Sequence, residues 1–293
     1  MKELSMNMLA PAKINLALAI TDKRPDGYHG LETIFQTVAL YDRVNVAFKG
    51  KGISCFCGEL SGNINLAYQA ARTFLEVYEA MGFGHIPGVE ITIEKQIPMQ
   101  AGLAGGSSDA ATVLIAINQL AGNPLTYEQL LECAKKCGSD TAYCLRGGTQ
   151  WGEGTGTILE ELPPAPEMDI LLVKPRQGVS TAEAYRLFDD QGRFANLEKD
   201  VWFDVLRSAD VPRIGQLLAN NLESAVFKLV PEISTLKALL LEGGCMGALM
   251  SGSGSAVFGI IKDVEQGEKM RRILLDEGFN HHWLVKTIRA RNI

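Results

Sequence analysis

The stretch that most constrains this chain is Pro98-Met99-Gln100-Ala101-Gly102-Leu103-Ala104-Gly105-Gly106-Ser107-Ser108-Asp109. Before it, residues 89–94 alternate apolar and polar side chains and are rich in β-branched residues, which reads as a strand. After it, residues 110–121 are almost entirely apolar, long enough for a helix, and stopped by Gly122 and Pro124. A helix apolar on every face is expected to be buried. Gly102, Gly105 and Gly106 let the backbone of the intervening loop come close to a ligand. Ser107 or Ser108 is placed to cap the helix, leaving further amides free at its positive end, where a phosphate would bind. A tight turn that only packs is the other reading. Neither the Walker lysine nor the G-x-G-x-x-G order is present, so backbone amides alone would have to do the cradling.

Composition narrows the class. The chain has 293 residues, enough for about two domains. Its 46% hydrophobic and 21% charged content fits a folded globular protein and argues against disorder. A net charge of −6 argues against a broad nucleic-acid-binding surface, so an anionic substrate must be met by local cations and amides. No apolar run is long enough to span a bilayer, and no signal-peptide core follows Met1. Cys55, Cys57, Cys133, Cys137, Cys144 and Cys245 form no C-x-x-C pair and read as reduced thiols of a cytoplasmic protein. The four histidines give no metal-ligand pattern.

Taken in order, residues 7–20 read as a strand interrupted at Ala10-Pro11, with Lys13 and Asn15 on one face. Lys13 in so apolar a strand is either an edge charge that guards against aggregation or a functional cation. Pro25-Asp26-Gly27 is a turn that delivers Tyr28 and His29, where a planar ligand has room to stack. Residues 35–40, 43–48 and 53–57 read as three strands, and residues 65–81 as a helix. Thr126 is expected to cap a helix over residues 127–137. Asp140, after the stop at Gly138, is either a cap or a carboxylate projected into a cleft. Pro163-Pro164-Ala165-Pro166 marks a boundary or crossover. Beyond it the order strand, helices, strand, strand, helix, strand matches a split β-α-β layout with helical insertions. Ser251-Gly252-Ser253-Gly254-Ser255 joins its central strands as a flexible hairpin or as a second amide-rich wall.

Three stretches together, residues 11–16, 98–111 and 247–255, resemble the GHMP kinase superfamily, which includes galactokinase, homoserine kinase, mevalonate kinase and phosphomevalonate kinase. More narrowly, residues 12–16, 24–29 and 138–140 are similar to the kinases of that superfamily that act on 4-diphosphocytidyl-2-C-methyl-D-erythritol in non-mevalonate isoprenoid synthesis. The resemblance implies an α+β, two-domain fold with the active site in the interdomain cleft. Residues 1–162 would be an N-terminal, ribosomal protein S5 domain 2-like unit, and residues 163–293 a C-terminal ferredoxin-like unit. It implies ATP with Mg2+. The ATP phosphates would be wrapped by Pro98, Met99, Gln100, Ala101, Gly102, Leu103, Ala104, Gly105, Gly106, Ser107 and Ser108, and the adenosine met by Asn65 and Lys95. Asp140 is implied as catalytic base, with Lys13 beside it. Asn15 is assigned to the substrate, together with Tyr28, His29 and Tyr185, which would match the cytosine-sandwiching positions. The Mg2+ ligands are not readable, and no protein metal ligand is assigned. The expected partners are small molecules, without nucleic acid or membrane, on a monomer or weak homodimer.

Two departures from the family pattern stand out: Gln100 where a small residue is usual, and Ser255-Ala256 in place of a Pro-Thr pair. Two rivals remain. Another small-molecule kinase of the superfamily is disfavoured by Asp26-Gly27-Tyr28-His29, and a non-catalytic nucleotide-binding protein by the presence of both Lys13 and Asp140.

Overall fold

The structure, a computed structural model, describes residues 4–190 and 193–291. Two long antiparallel strands, β1 (Leu4–Lys23) and β2 (His29–Phe48), form its spine. Around them lie β3 (Gly52–Phe56), β4 (Gly88–Glu94), β5 (Thr149–Gly154), β6 (Ile158–Glu161) and the two-residue β8 (Ala219–Asn220), which complete a seven-stranded sheet. Residues 35–40 and 43–48 are therefore not two strands but parts of one. The register shifts between Pro11, opposite Tyr41, and Ala12, opposite Val38, so Ala39 and Leu40 bulge from the ladder. A bulge there suits Pro11, which has no N–H to give to a ladder.

Four helices cover one face of this sheet: α1 (Leu66–Ala80), α2 (Gly105–Leu120), α3 (Tyr127–Lys135) and α4 (Thr141–Arg146). α2 is buried from Ser108 to Asn118, as its all-round apolar pattern requires. It starts at Gly105, five residues earlier than the apolar run alone indicates. Neither serine caps it. Ala104 holds the N-cap position in the left-handed region (φ 56°) without a side-chain bond, and Ser107 and Ser108 lie inside the first turns. Thr126 does cap α3, in a reciprocal capping box with Gln129.

Residues 162–168 carry the chain from β6 to a second, four-stranded antiparallel sheet. Its strands are β7 (Asp169–Val173), β9 (Gly247–Met250), β10 (Val257–Ile261) and β11 (His282–Lys286), in the order β11-β7-β10-β9. This is the split β-α-β order the sequence pattern indicates. The helices between are α5 (Thr181–Asp189), α6 (Lys199–Ser208), α7 (Val211–Leu217), α8 (Glu223–Leu229), α9 (Pro231–Glu242) and α10 (Val264–Asp276). The chain then returns to the first sheet. Thr287 bridges Val38, and the Arg291 guanidinium donates to the Leu9 carbonyl and to Thr112 of α2. None of the described helices is long and apolar enough to cross a membrane.

Candidate active site

One end of the site is set by β1. Lys13 is 4% exposed, which removes the edge-charge reading. Beyond β2, its neighbour is the glycine loop, whose Leu103 carbonyl accepts from the Lys13 amide at 3.1 Å. The Lys13 ammonium donates to Asn15 Oδ1 at 2.6 Å and lies 3.4 Å from Asp140 Oδ2. It also stands 5.5 Å from the centre of the Phe35 ring. Asn15 in turn donates to Thr33 at 2.7 Å, and Thr33 donates to the Ala17 carbonyl. Both ends of the Asn15 amide are thus engaged in aiming Lys13. Asp140 occupies the N-cap position of α4 but makes no capping bond, so the cap reading fails and its carboxylate faces Lys13.

The glycine loop is held from behind through its backbone. Gln100 and Gly102 have positive φ (51° and 72°), which turns successive peptide groups to opposite sides. The Gln100 and Ala101 carbonyls accept from the Ser255 and Ala256 amides, and the Ser251 hydroxyl donates to the Gly102 carbonyl at 2.9 Å. A Cβ on Gly102 would stand 1.9 Å from the Ser251 oxygen, so only glycine fits there. The 251–255 segment is buried throughout and is not a flexible hairpin. Asn220 pins it by donating to the Met250 and Gly252 carbonyls. Ser255-Ala256 therefore supplies the straps of the loop. The long Gln100 side chain fits because Gly178 leaves space against it. With no capping side chain, the amides of Gly105, Gly106 and Ser107 stay available at the head of α2.

Lys95 sits beside this helix head, bonded to two carboxylates: Asp42 at 2.5 Å and Asp109 at 2.7 Å. Asp42 is fully buried in β2 and also accepts from the Gln96 and Ile97 amides, where β4 leaves the sheet for the loop. Burial pushes the Asp109 carboxyl up to about 7, with Lys95 pulling it back and Asp42 adding to the rise. Burial works against the Lys95 charge, yet the two carboxylates hold its pKa above the ordinary value. Neither carboxylate was assigned from sequence. The signal for Asp42 was a charged residue between two apolar strand segments. Asn65 caps α1, accepting from the Ala67 amide and donating to the Leu60 carbonyl, and lines the same cavity as Lys95.

At the other end, the turn at Arg24 to Tyr28 delivers Tyr28, which is 67% exposed, and His29, which is buried. The His29 ring lies 5.0 Å from Tyr185 of α5, tilted by 40°. These residues, Lys13, Asp140, Lys95, Asn65 and the loop from Pro98 to Ser107 all line one cavity of about 1260 Å³. Residues 156 places apart in the chain are thereby brought to one wall by tertiary folding. Of the assigned residues only Ser108 does not line the cavity: it is fully buried, and its hydroxyl has no hydrogen-bond partner among the described residues.

Comparison with known proteins matches residues 65–148 to the GHMP kinases N terminal domain and residues 202–281 to the GHMP kinases C terminal domain. A protein of Desulfitobacterium hafniense, named 4-diphosphocytidyl-2-C-methyl-D-erythritol kinase, is 50% identical over 98% of both chains. The chain belongs to the GHMP kinases. A crystal structure of 4-(cytidine 5'-diphospho)-2C-methyl-D-erythritol kinase, 33% identical, superposes with a TM-score of 0.82 over 96% of this chain and 99% of that one. Homoserine kinase from Cytophaga hutchinsonii, at 21% identity and a TM-score of 0.76 over 100% and 97%, shares the fold. The family and the α+β fold implied by the three motifs are both confirmed.

Proposed function

We propose that this chain is an ATP-dependent kinase that phosphorylates the 2-hydroxyl of 4-diphosphocytidyl-2-C-methyl-D-erythritol in non-mevalonate isoprenoid precursor synthesis. The observation that carries the reading is the near full-length, 50% identity to a kinase bearing that name. The geometry supports it. A polyphosphate laid on the loop from Pro98 to Ser107 meets free amides and a helix N-terminus, and Lys13 and Asp140 stand at the same cavity.

Phosphoryl transfer asks mainly for positioning and charge neutralisation. Asp140 takes the proton of the substrate hydroxyl as the oxygen attacks the γ-phosphorus. Lys13, 3.4 Å away, pairs with that carboxylate and offsets charge on the transferring group. Asn15 and Thr33 keep the ammonium on target. Asn65 and Lys95 form the adenosine side, while Tyr28, His29 and Tyr185 enclose the cytosine. Mg2+, when bound, supplies charge neutralisation at the phosphates. Ser107, in the first turn of α2 and on the cavity wall, would offer a hydroxyl oxygen to a hard cation that keeps most of its ligands as water and phosphate. Residues 1–162 and 163–293 are the two domains, with the cleft between them as the active site. The enzyme acts in the cytoplasm as a monomer or weak homodimer, in keeping with six free, buried cysteines.

Phosphate transfer from labelled ATP to a panel of alcohols tests the reading. Labelling of the cytidyl diphospho-methylerythritol, far above homoserine or mevalonate, is expected. Preference for either of the latter overturns it.

A further inference from the structure

Asp189 has no part in the chemistry above, yet it is the last residue of α5 and lines the cavity beside His29. Its Oδ1 accepts from His29 Nε2 at 2.6 Å and its Oδ2 from the Lys23 ammonium at 2.5 Å. Lys23 and His29 are register partners across β1 and β2, so one carboxylate ties α5 to both strands at the turn end of the hairpin. Tyr185 and Phe188, one turn and one residue earlier on α5, hold the same imidazole at 5.0 Å and 6.4 Å. The Lys23 hydrogen bond keeps the Asp189 carboxyl below the usual carboxylate range, so it stays an acceptor at neutral pH.

We infer that Asp189 is a positioning residue for nucleobase recognition, fixing the tautomer and tilt of His29 so that the pocket favours cytosine over uracil. The inference rests on the proposed reading that Tyr28, His29 and Tyr185 enclose the base. A carboxylate can only accept, so Nε2 of His29 carries a proton, and in the tautomer with that single ring proton Nδ1 is an acceptor. Among the described residues Nδ1 makes no hydrogen bond. Cytosine carries an amine donor where uracil carries a carbonyl acceptor. An acceptor nitrogen on the pocket wall suits the first and repels the second. Without Asp189 the proton moves freely between the two nitrogens, and the preference fades.

The test is steady-state kinetics of Asp189→Ala and Asp189→Asn with the cytidine substrate, its uridine analogue and ATP, together with the His29 ring-nitrogen NMR signals and a melting curve. Asp189→Ala is expected to raise the KM of the cytidine substrate and to shrink the cytidine-to-uridine preference, each by roughly tenfold, the ordinary worth of one charge-assisted hydrogen bond. The KM for ATP and the melting midpoint stay put, and the NMR signals shift from a fixed Nε2–H tautomer to a mixture. Asp189→Asn keeps an acceptor oxygen and recovers part of the loss. An unchanged preference, or equal effects on both substrates, overturns the role of Asp189. Tyr185→Ala, run in parallel, separates the two levels. If it raises the cytidine-substrate KM while Asp189→Ala does not, the Asp189 inference alone falls. If it too has no effect, the base pocket itself is elsewhere.

Discussion

The two ends of the cavity are built from different materials. The proposed phosphate end is backbone: a loop strapped by main-chain bonds to the buried 251–255 segment, in which the side chains mostly stay out of the way. The proposed nucleobase end is side chains: an exposed Tyr28, a buried His29 and a half-buried Tyr185, drawn from a turn, a strand and a helix. A backbone cradle needs particular dihedrals at consecutive positions, so it is written in one contiguous stretch of sequence. A side-chain wall needs only that its members meet in space, so its sequence trace is scattered. The first should be intolerant of substitution within the loop itself. The second should tolerate change and show it as altered selectivity.

The proposed reacting pair, Lys13 and Asp140, lies between the two ends and carries the largest expected effect. Asp140→Asn keeps the shape of the side chain but removes the proton acceptor, so kcat should fall on the order of a hundredfold or more with ATP binding near wild type. Rapid-quench turnover and nucleotide titration check this, and near-normal turnover would leave Asp140 without a catalytic role.

At the backbone end, Gly102→Ala places a Cβ 1.9 Å from the Ser251 oxygen at a residue with φ of 72°. Backbone strain of this kind costs about 1–3 kcal/mol, so the KM for ATP should rise roughly ten- to a hundredfold. Gly105→Val should act in the same direction, because its Cβ would crowd Ile97 and the Lys95 ammonium at 3.0–3.2 Å. Unchanged nucleotide affinity in a folded variant would move the phosphates off this loop.

At the side-chain end, Tyr185→Ala removes one stacking face. Base–aromatic stacking is worth about 1–3 kcal/mol by alanine substitution, which predicts a roughly ten- to hundredfold rise in the KM of the cytidine substrate. The ATP value should hardly move. A drop in melting temperature with equal losses for both substrates would make Tyr185 a packing residue and erase the contrast between the two ends.

The smallest effect concerns the buried carboxylates behind the loop. Asp109 titrates near about 7 in the folded protein and near its ordinary value of about 3.9 when unfolded. Between those values the folded chain holds a proton that the unfolded chain has released. Its contribution to stability is therefore full below about pH 4 and lost as pH rises through about 7. Asp109→Asn should flatten the fall of the melting midpoint over that window. A slope identical to wild type would mean that Asp109 is ionised throughout.

The same contrast explains what was legible in the sequence. The glycine loop, the buried helix after it and the split β-α-β order of the second sheet all follow from local pattern. The start of α2 did not, because a left-handed Ala104 replaces the serine cap. That β2 runs on through Tyr41-Asp42 is not legible locally, because the buried Asp42 charge is satisfied from outside, by Lys95 and the amides of Gln96 and Ile97. Asn220 and Asp189 were invisible for the same reason: the bonds by which each holds the site reach residues at least 30 positions away. The pairing of Lys13 with Asp140 came from the resemblance, and the 3.4 Å approach of their side chains gives it a physical basis.

The most direct test of the account is the phosphorus NMR spectrum of a reaction of wild type and Asp140→Asn with ATP, Mg2+ and the cytidyl diphospho-methylerythritol. The account predicts, for wild type alone, ADP and a new phosphomonoester on the 2-hydroxyl in equal amounts, with the diphosphate bridge intact. ADP with only free phosphate, a phosphate on another hydroxyl, or the same product from Asp140→Asn at a similar rate would contradict it.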